Sequence, residues 1–171
     1  SFGVGALRGG RNSPTVWNAA FLSVQFWDGR AASLEEQAKG PLTNPVEMAM
    51  QAHDPVMVRV KSIEGYRKSF AKVFGGKDPS DSMTIDNLAK AIASYERTLL
   101  TPNAPVDRFL KGDKNALSAS GQRGMRLVQT VGCVTCHQGV NYAGPNLPAG
   151  IGFYQKFPAF PGSDYDSKYD L

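Results

Sequence analysis

The sequence predicts a mostly α-helical fold with long loops, and three observations support this prediction. Apolar residues recur every three to four positions in several segments, as on one face of a helix. Several of these segments begin with a helix-start signal, a Ser, Asn or Asp followed by Pro or Glu. No segment of any length shows the strict alternation of a half-buried strand. The 18 glycines and 11 prolines among 171 residues indicate long irregular connections between the helices.

The first fifty residues are predicted to form a loop followed by two short helices. Residues 1–14 are rich in glycine, which favours a loop or an extended arm. Residues 33–36, Ser-Leu-Glu-Glu, form a capping box that opens a helix, and Gly40-Pro41 is expected to end it. A second short helix is expected over residues 44–50, because the proline of Asn44-Pro45 suits the first helical turn.

The remaining helices follow from the same kinds of signal. Asp54-Pro55 starts a helix whose apolar face includes Ile63. Further helices are expected over residues 66–74, 84–98, 106–110 and 118–130. Beyond Gly139 the chain is rich in Pro, Gly and aromatic residues without a period, so we expect an ordered loop there.

The composition excludes several classes of function. The net charge of +4 is dispersed, with no basic block of five to eight residues, which argues against nucleic acid as the main target. No stretch approaches the roughly 18 apolar residues of a membrane-spanning helix. The first residue is Ser and no signal peptide is visible, so we expect a processed or truncated chain.

The motif with the most specific chemistry is Cys133-Val134-Thr135-Cys136-His137, the C-x-x-C-H attachment sequence of c-type haem. Two thiols separated by two residues reach the two vinyl groups on one edge of the porphyrin. The adjacent histidine then binds the iron through a neutral imidazole nitrogen. The preceding helix offers Met125, Val128 and Val131 as packing surface for the ring. The spacing therefore predicts one covalently attached haem c.

Other interpretations of the two cysteines explain less. A structural zinc ion needs four ligands, and His53 is the only His or Cys outside the motif. A thioredoxin-like dithiol is expected in a βαβ setting, which this chain lacks. A simple disulfide would leave His137 unexplained.

The second axial ligand of this haem is not evident from the sequence. Electron-transfer cytochromes often use a downstream Met, but neither Met nor His follows His137, and all five methionines precede it. We therefore expect an unusual ligand, an upstream segment, or sequence beyond this chain.

The order of several sequence blocks identifies a family. With roughly constant spacing they resemble the bacterial di-haem cytochrome c peroxidases over almost the whole chain. The blocks are Arg11–Val16, Gln25–Arg30, Glu35–Pro41, Asn44–Met48, Tyr95–Leu99, Leu110–Asp113, Ala116–Leu117 and the haem motif.

The resemblance implies two cytochrome c-like helical domains, each with a covalent haem, and long Gly/Pro-rich loops. Residues 1–112 then correspond to the later part of the peroxidatic domain, whose own haem motif would precede Ser1. Residues 113–171 correspond to the start of the electron-entry domain. The family implies hydrogen peroxide as substrate, a small cytochrome c or copper protein as donor, a periplasmic location and a tendency to form homodimers.

The resemblance also assigns roles to four residues. Glu47 matches the acid/base of the peroxide pocket, although a first-turn helical Glu would be an ordinary structural feature. Gln25 matches a polar pocket residue or is a simple surface amide. Trp27 matches the aromatic residue between the haems. The alternative is that Trp27 is a large residue packed in the hydrophobic core. Asn12 resembles a ligand of an inter-domain calcium ion, with an Asn in a turn as an equal alternative.

One difference from the family bears on function. Many members place a histidine in the glycine-rich loop that here reads Phe2–Ala6, where it ligates the resting peroxidatic haem. Its absence resembles members with an open position on that haem, including relatives that oxidise a partner protein. The sequence thus predicts a periplasmic peroxidase, with a protein-modifying di-haem oxidase or a mono-haem electron-transfer cytochrome c as alternatives.

Overall fold

The computed structural model describes residues 2–76, 78 and 80–144, and nearly all of its regular structure is helical. The two extended pairings in this part of the chain are isolated bridges, Phe2 with Arg8 and Gln25 with Ala31. The prediction of a mostly α fold is confirmed. The α-helices are α1 (Leu34–Thr43), α2 (His53–Lys61), α3 (Glu64–Phe74), α4 (Ile85–Glu96), α5 (Pro105–Leu110) and α6 (Ala119–Thr130). Short 3₁₀ turns cover Val4–Ala6, Ala19–Phe21 and Cys133–Thr135.

Helix α1 begins at the predicted capping residue but extends beyond the predicted end. The hydroxyl of Ser33 accepts the N–H of Glu36 at 3.1 Å, and the carboxylate of Glu36 accepts the N–H of Ala32 at 2.7 Å. The helix continues through Pro41 to Thr43. The expected stop at Gly40-Pro41 was wrong because a proline in the last turn removes only one helical hydrogen bond.

The expected second helix over residues 44–50 is instead a series of turns. The side-chain oxygen of Asn44 accepts the N–H of Val46 at 2.9 Å, a local bond that competes with helix formation. The N–H of Met48 donates to the carbonyl of Pro41 at 3.3 Å, which lies in the last turn of α1. Carbonyls in the last turn of a helix lack hydrogen-bond partners within the helix. The N–H of Met48 supplies a partner for one of these carbonyls.

The contact between α1 and α4 uses small apolar residues. Ala93 of α4 is fully buried and clusters with Ala19 and Leu34. At its edge the guanidinium of Arg97 donates to both carboxylate oxygens of Glu35, at 2.7 and 3.0 Å. These hydrogen bonds from Arg97 lower the pKa of Glu35. The ion pair and the small side chains bring the two helices together.

A second cluster joins α2, α3 and the segment before α4. Met57, Phe70 and Met83 are its buried members, and Met83 is 1% exposed. Burying a side chain of this size contributes about 1.5–3 kcal/mol. Ile63 has extended backbone and precedes α3, so α2 ends before it, at Lys61. No helix in the described part of the chain is long and apolar enough to cross a membrane. Most of the predicted C-terminal loop, residues 145–171, lies outside the described residues.

Candidate functional site

A cleft of about 670 Å³ lies between the N-terminal segment, the 26–30 turn, the end of α1 and the turn that follows it. Three of the residues assigned roles by resemblance, Asn12, Trp27 and Glu47, line this cleft. They come from three separate stretches of sequence. The structure therefore brings them together although the chain separates them.

Glu47 is half-buried, and its backbone is held by the N-terminal segment. The N–H of Val4 donates to the carbonyl of Glu47 at 2.9 Å. Gly3 packs so closely that a Cβ there would lie 1.8 Å from the carbonyl oxygen of Val46 and 2.7 Å from that of Glu47. Only glycine fits this approach. Residues 3 and 4 thus hold the backbone that carries the Glu47 carboxyl.

Trp27 is 62% exposed, yet its indole is fixed in one orientation. The indole Nε1–H donates to the main-chain carbonyl of Asn12 at 2.7 Å. This bond links the aromatic residue to the N-terminal segment that contains Asn12. Among the described residues, no group of three His, Cys, Asp or Glu side chains could hold a metal ion.

Charged side chains brace the turn that carries Trp27. Both carboxylate oxygens of Asp28 accept from Arg30 at 2.8 Å, and Arg11 reaches the same carboxylate at 3.2 Å. Burial opposes ionisation of Asp28, but hydrogen bonds from Arg30 and the charges of both arginines lower its pKa. The guanidinium of Arg30 also lies 3.6 Å from the ring centroid of Phe26, a cation–π contact. The turn is therefore held as a rigid unit.

Gln25 lies elsewhere. It is 6% exposed, and its amide donates to the carbonyl of Ala19 at 3.2 Å. The described lining of the cleft does not include it, whereas Gln37 of α1 does line the cleft with Glu47. The pocket role expected for Gln25 stays a prediction. Sequence reasoning missed Gln37, whose signal is its place one turn before Pro41 on the helix that leads into the Glu47 turn.

The haem motif forms a single tight turn after α6. Gly132 adopts the left-handed region with φ of 91°, and Cys133 begins a 3₁₀ turn. The N–H of His137 donates to the carbonyl of Cys133 at 2.8 Å. Both cysteines are exposed, and they form no disulfide. This compact geometry presents Cys133, Cys136 and His137 from one short segment.

The imidazole of His137 is oriented for a metal. Its Nδ1 lies 3.0 Å from the carbonyl oxygen of Tyr142. A carbonyl can only accept, so Nδ1 carries the proton and the lone pair is on Nε2. Histidine ligands commonly have this kind of partner on the other ring nitrogen.

Apolar side chains surround the motif without a cover from the described residues. Leu127, Val131 and Val140 are 56%, 65% and 71% exposed. No residue of α6 is buried. An exposed apolar surface next to two cysteines and an oriented imidazole fits a covalently bound haem c.

The chain matches the sequence model of one protein family. A model of the di-haem cytochrome c peroxidase family matches residues 1–115. The chain belongs to this family. Haem c is the cofactor of this family.

Individual relatives agree with the family. The chain is 46% identical to the cytochrome c551 peroxidase of Pseudomonas aeruginosa over 147 residues, which are 84% of this chain and 41% of that protein. It is 40% identical to the cytochrome c peroxidase Ccp of Escherichia coli K12 over 152 residues, 88% of this chain and 32% of that protein. It is 42% identical to the methylamine utilization protein MauG of Methylophilus methylotrophus over 130 residues, 74% and 37% respectively. The chain thus spans between 32% and 41% of these three relatives.

A solved structure shows the same fold. A MauG-like protein associated with microbial copper homeostasis superposes with a TM-score of 0.71 at 23% identity. The match covers 92% of this chain and 46% of that one. The overall fold of this chain therefore recurs in that structure.

Proposed function

We propose that this chain is part of a periplasmic di-haem peroxidase that reduces hydrogen peroxide to water with electrons from a small cytochrome or copper protein. The observation that carries the proposal is the meeting of Glu47 and Trp27 in one cleft. The reaction needs a proton-transfer group near its substrate, and an aromatic side chain in the same cleft offers a route for electrons.

Cys133 and Cys136 would hold the haem through thioether bonds, and Nε2 of His137 would bind its iron. When bound, haem c supplies an iron that takes up and releases single electrons. The hydrogen bond between His137 and Tyr142 makes the imidazole a stronger ligand. The exposed side chains of Leu127, Val131 and Val140 would cover the ring.

Glu47 moves the protons of the reaction. Hydrogen peroxide, two electrons and two protons give two molecules of water. As the O–O bond breaks, one oxygen must lose a proton while the other gains one, and a single carboxyl can do both. The contacts of Gly3 and Val4 keep its backbone fixed during this transfer. Gln37 in the same cleft supplies an amide that can orient the peroxide.

Trp27 is proposed as the electron route into the cleft. Its indole is fixed by Asn12 and by the charged brace around Asp28. Residues 1–112 then form the later part of the peroxidatic domain, and residues 113–171 begin the electron-entry domain. Calcium bound with a contribution from Asn12 would sit between them, and the whole protein would be a homodimer.

Replacing Glu47 tests the proposal in the haem-loaded protein. Glu47→Gln keeps the size of the side chain but cannot carry the proton. We expect peroxide turnover to fall by roughly 10²- to 10⁴-fold, the usual value of a general acid–base group. Glu64→Gln is the control, because Glu64 is exposed on α3 and pairs with Lys68. Equal turnover of Glu47→Gln and the native protein would refute the role of Glu47.

Oxidation of a protein partner is a second candidate. The segment Phe2–Ala6 has no histidine, and it is bonded to the Glu47 backbone through Val4. We expect the fully oxidised protein to change its haem spectrum on addition of peroxide, without prior reduction. Steady turnover with a reduced small cytochrome identifies the peroxidase, and its absence together with rapid peroxide reaction identifies the oxidase.

The mono-haem carrier makes a different prediction. It requires one iron for each intact protein, whereas both enzymes require two. An iron-to-protein ratio on the intact gene product separates these outcomes.

A further inference from the structure

Asn18 joins three segments that are distant in sequence. It adopts the left-handed region with φ of 60°, and its N–H donates to the carbonyl of Leu99 at 2.9 Å. Its side-chain amide donates to the hydroxyl of Thr101 at 2.6 Å and accepts the N–H of Thr101 at 2.9 Å. The backbone of Asn18, including its own carbonyl, is therefore fixed to the end of α4.

The carbonyl of Asn18 is the acceptor for a residue of the haem-binding region. The amide of Asn141 donates to it at 2.9 Å across 123 positions of sequence. Asn141 immediately precedes Tyr142, whose carbonyl accepts Nδ1–H of His137. The side chain of Asn141 thus connects Asn18, which is fixed to the segment after α4, with Tyr142, the hydrogen-bond partner of His137.

The backbone of Tyr142 is strained, so contacts with other residues must hold it in place. It has a φ of 51°, a left-handed conformation that a side chain makes unfavourable. The bonds that hold it within the described residues are local, from its N–H to Gly139 at 3.2 Å and from its carbonyl to His137. A strained residue keeps its conformation when its surroundings fix it, and Asn141 supplies the long-range part of that restraint.

We propose that Asn141 is a positioning residue for the haem-binding imidazole. By bonding to Asn18 it holds the Tyr142 carbonyl against Nδ1–H of His137. A strong bond at Nδ1 makes Nε2 a better electron donor to the iron, which favours the oxidised haem. The proposal needs haem attachment at the motif but not the peroxidase reaction.

The test uses the haem-loaded protein and two measurements that do not depend on turnover. The first is the reduction potential of the haem attached at Cys133 and Cys136. The second is the hydrogen-exchange rate of Nδ1–H of His137, measured by NMR. In Asn141→Ala we expect faster exchange and a higher potential. The potential change should correspond to roughly a threefold to tenfold shift in the ratio of reduced to oxidised haem, at or below the usual effect of a residue behind a metal ligand.

A matched control lies in the same loop. The amide of Gln138 donates to the carbonyl of Thr135 at 3.1 Å, within the haem-binding turn itself. Gln138→Ala removes an amide without cutting the connection to Asn18, so both measurements should stay near the native values. Equal shifts in Gln138→Ala and Asn141→Ala would overturn the proposal, because they would indicate general loosening of the loop.

A second variant, Asn18→Gly, tests the proposal if Asn141→Ala does not attach haem. Asn18→Gly keeps the left-handed backbone and the acceptor carbonyl but removes both side-chain bonds to Thr101. We expect a smaller change in the same direction in both measurements. Native potential and native exchange in whichever of the two variants attaches haem would overturn the proposal. Spectra of the attached haem report loading separately from peroxide turnover, so this outcome is distinct from failure of the proposed function.

Discussion

The indole of Trp27 donates its N–H to the main-chain carbonyl of Asn12 at 2.7 Å, and both residues line the same cleft. The acceptor is a backbone oxygen, so the side chain of Asn12 is not needed for this bond. Replacing each side chain therefore tests a different role, calcium binding for Asn12 and electron transfer for Trp27.

Asn12→Ala should weaken calcium binding without releasing Trp27. The substitution removes one amide oxygen from the proposed site, and loss of a bond to a charged group commonly costs about 1.5–3 kcal/mol, or roughly 10- to 100-fold in affinity. Titration calorimetry of the haem-loaded protein with Ca²⁺ measures this. Unchanged affinity in Asn12→Ala would show that the residue is only a turn-forming Asn.

Trp27→Phe should slow the delivery of electrons to the cleft. Phenylalanine keeps an aromatic ring but loses both the indole and its bond to Asn12. Stopped-flow mixing of the reduced protein with peroxide measures the rate of haem oxidation. Trp17→Phe is the control, since Trp17 is similarly exposed at 52% and is not among the described residues lining the cleft. Equal rates in both variants would exclude Trp27 as the route.

Gln37→Ala should slow the peroxide reaction, whereas Gln25→Ala should lower the stability of the fold. Gln37 faces the cleft, so its loss should reduce the rate of peroxide reaction, by roughly 10- to 100-fold if it orients a reacting oxygen. Gln25→Ala removes a buried side chain and its hydrogen bond to the Ala19 carbonyl, which still accepts the N–H of Leu22, and should cost about 0.5–1.5 kcal/mol in the free energy of unfolding. Its peroxide reaction per haem should stay near native. Stopped-flow rates and thermal unfolding of both variants measure this, and a loss of peroxide rate in Gln25→Ala with a native rate in Gln37→Ala would support the pocket role predicted for Gln25.

Gly3→Ala should disturb the peroxide reaction although residue 3 carries no reactive group. A Cβ there lies 1.8 Å from a backbone oxygen, so the backbone of Val46 and Glu47 must move. Small displacements of a reacting group can cost roughly 10²-fold in rate. Gly65→Ala is the control, because its Cβ meets no atom within 4 Å. A native peroxide rate in Gly3→Ala would show that the Glu47 backbone tolerates the shift.

Local signals in the sequence predicted the elements that depend on local bonds. The capping residue Ser33 was found because its bond to Glu36 spans only three positions. The helix expected over residues 44–50 was wrong because the turn bonds back to carbonyls at the end of α1. Such a partner becomes visible only when α1 is known to extend to Thr43.

The candidate site was predictable where a motif carries the chemistry and less so where packing decides. Cys133, Cys136 and His137 are adjacent in sequence, so their spacing alone indicated haem. Gln25 and Gln37 are equivalent by residue type, and only the direction of each side chain separates them. The bond between Asn141 and Asn18 spans 123 positions and leaves no periodic or compositional signal.

Glu96 should make the stability of the fold depend on pH. Its Oε2 is buried and has no hydrogen-bond partner in the described part of the chain. Burial raises its pKa above the ordinary value of 4.5; the charge of Arg97 opposes this rise and that of Glu35 adds to it. The folded state therefore binds the proton more tightly than the unfolded state. This contribution is fully present below pH 4.5 and is lost as the pH rises through the folded-state pKa.

Glu96→Gln removes the ionisation and keeps the size of the side chain. We expect its melting temperature to exceed the native value at pH 7 by at most roughly 2–4 °C, because solvent screening at a partly exposed carboxylate keeps the effect at or below about 1 kcal/mol. The difference should shrink as the pH falls and vanish below about pH 4.5, where both side chains are neutral. Glu64→Gln, at an exposed ion pair with Lys68, should show no such gain at pH 7. Thermal unfolding of the haem-loaded variants between pH 4 and 8 measures this, and a gain independent of pH would mean that ionisation of Glu96 is not its cause.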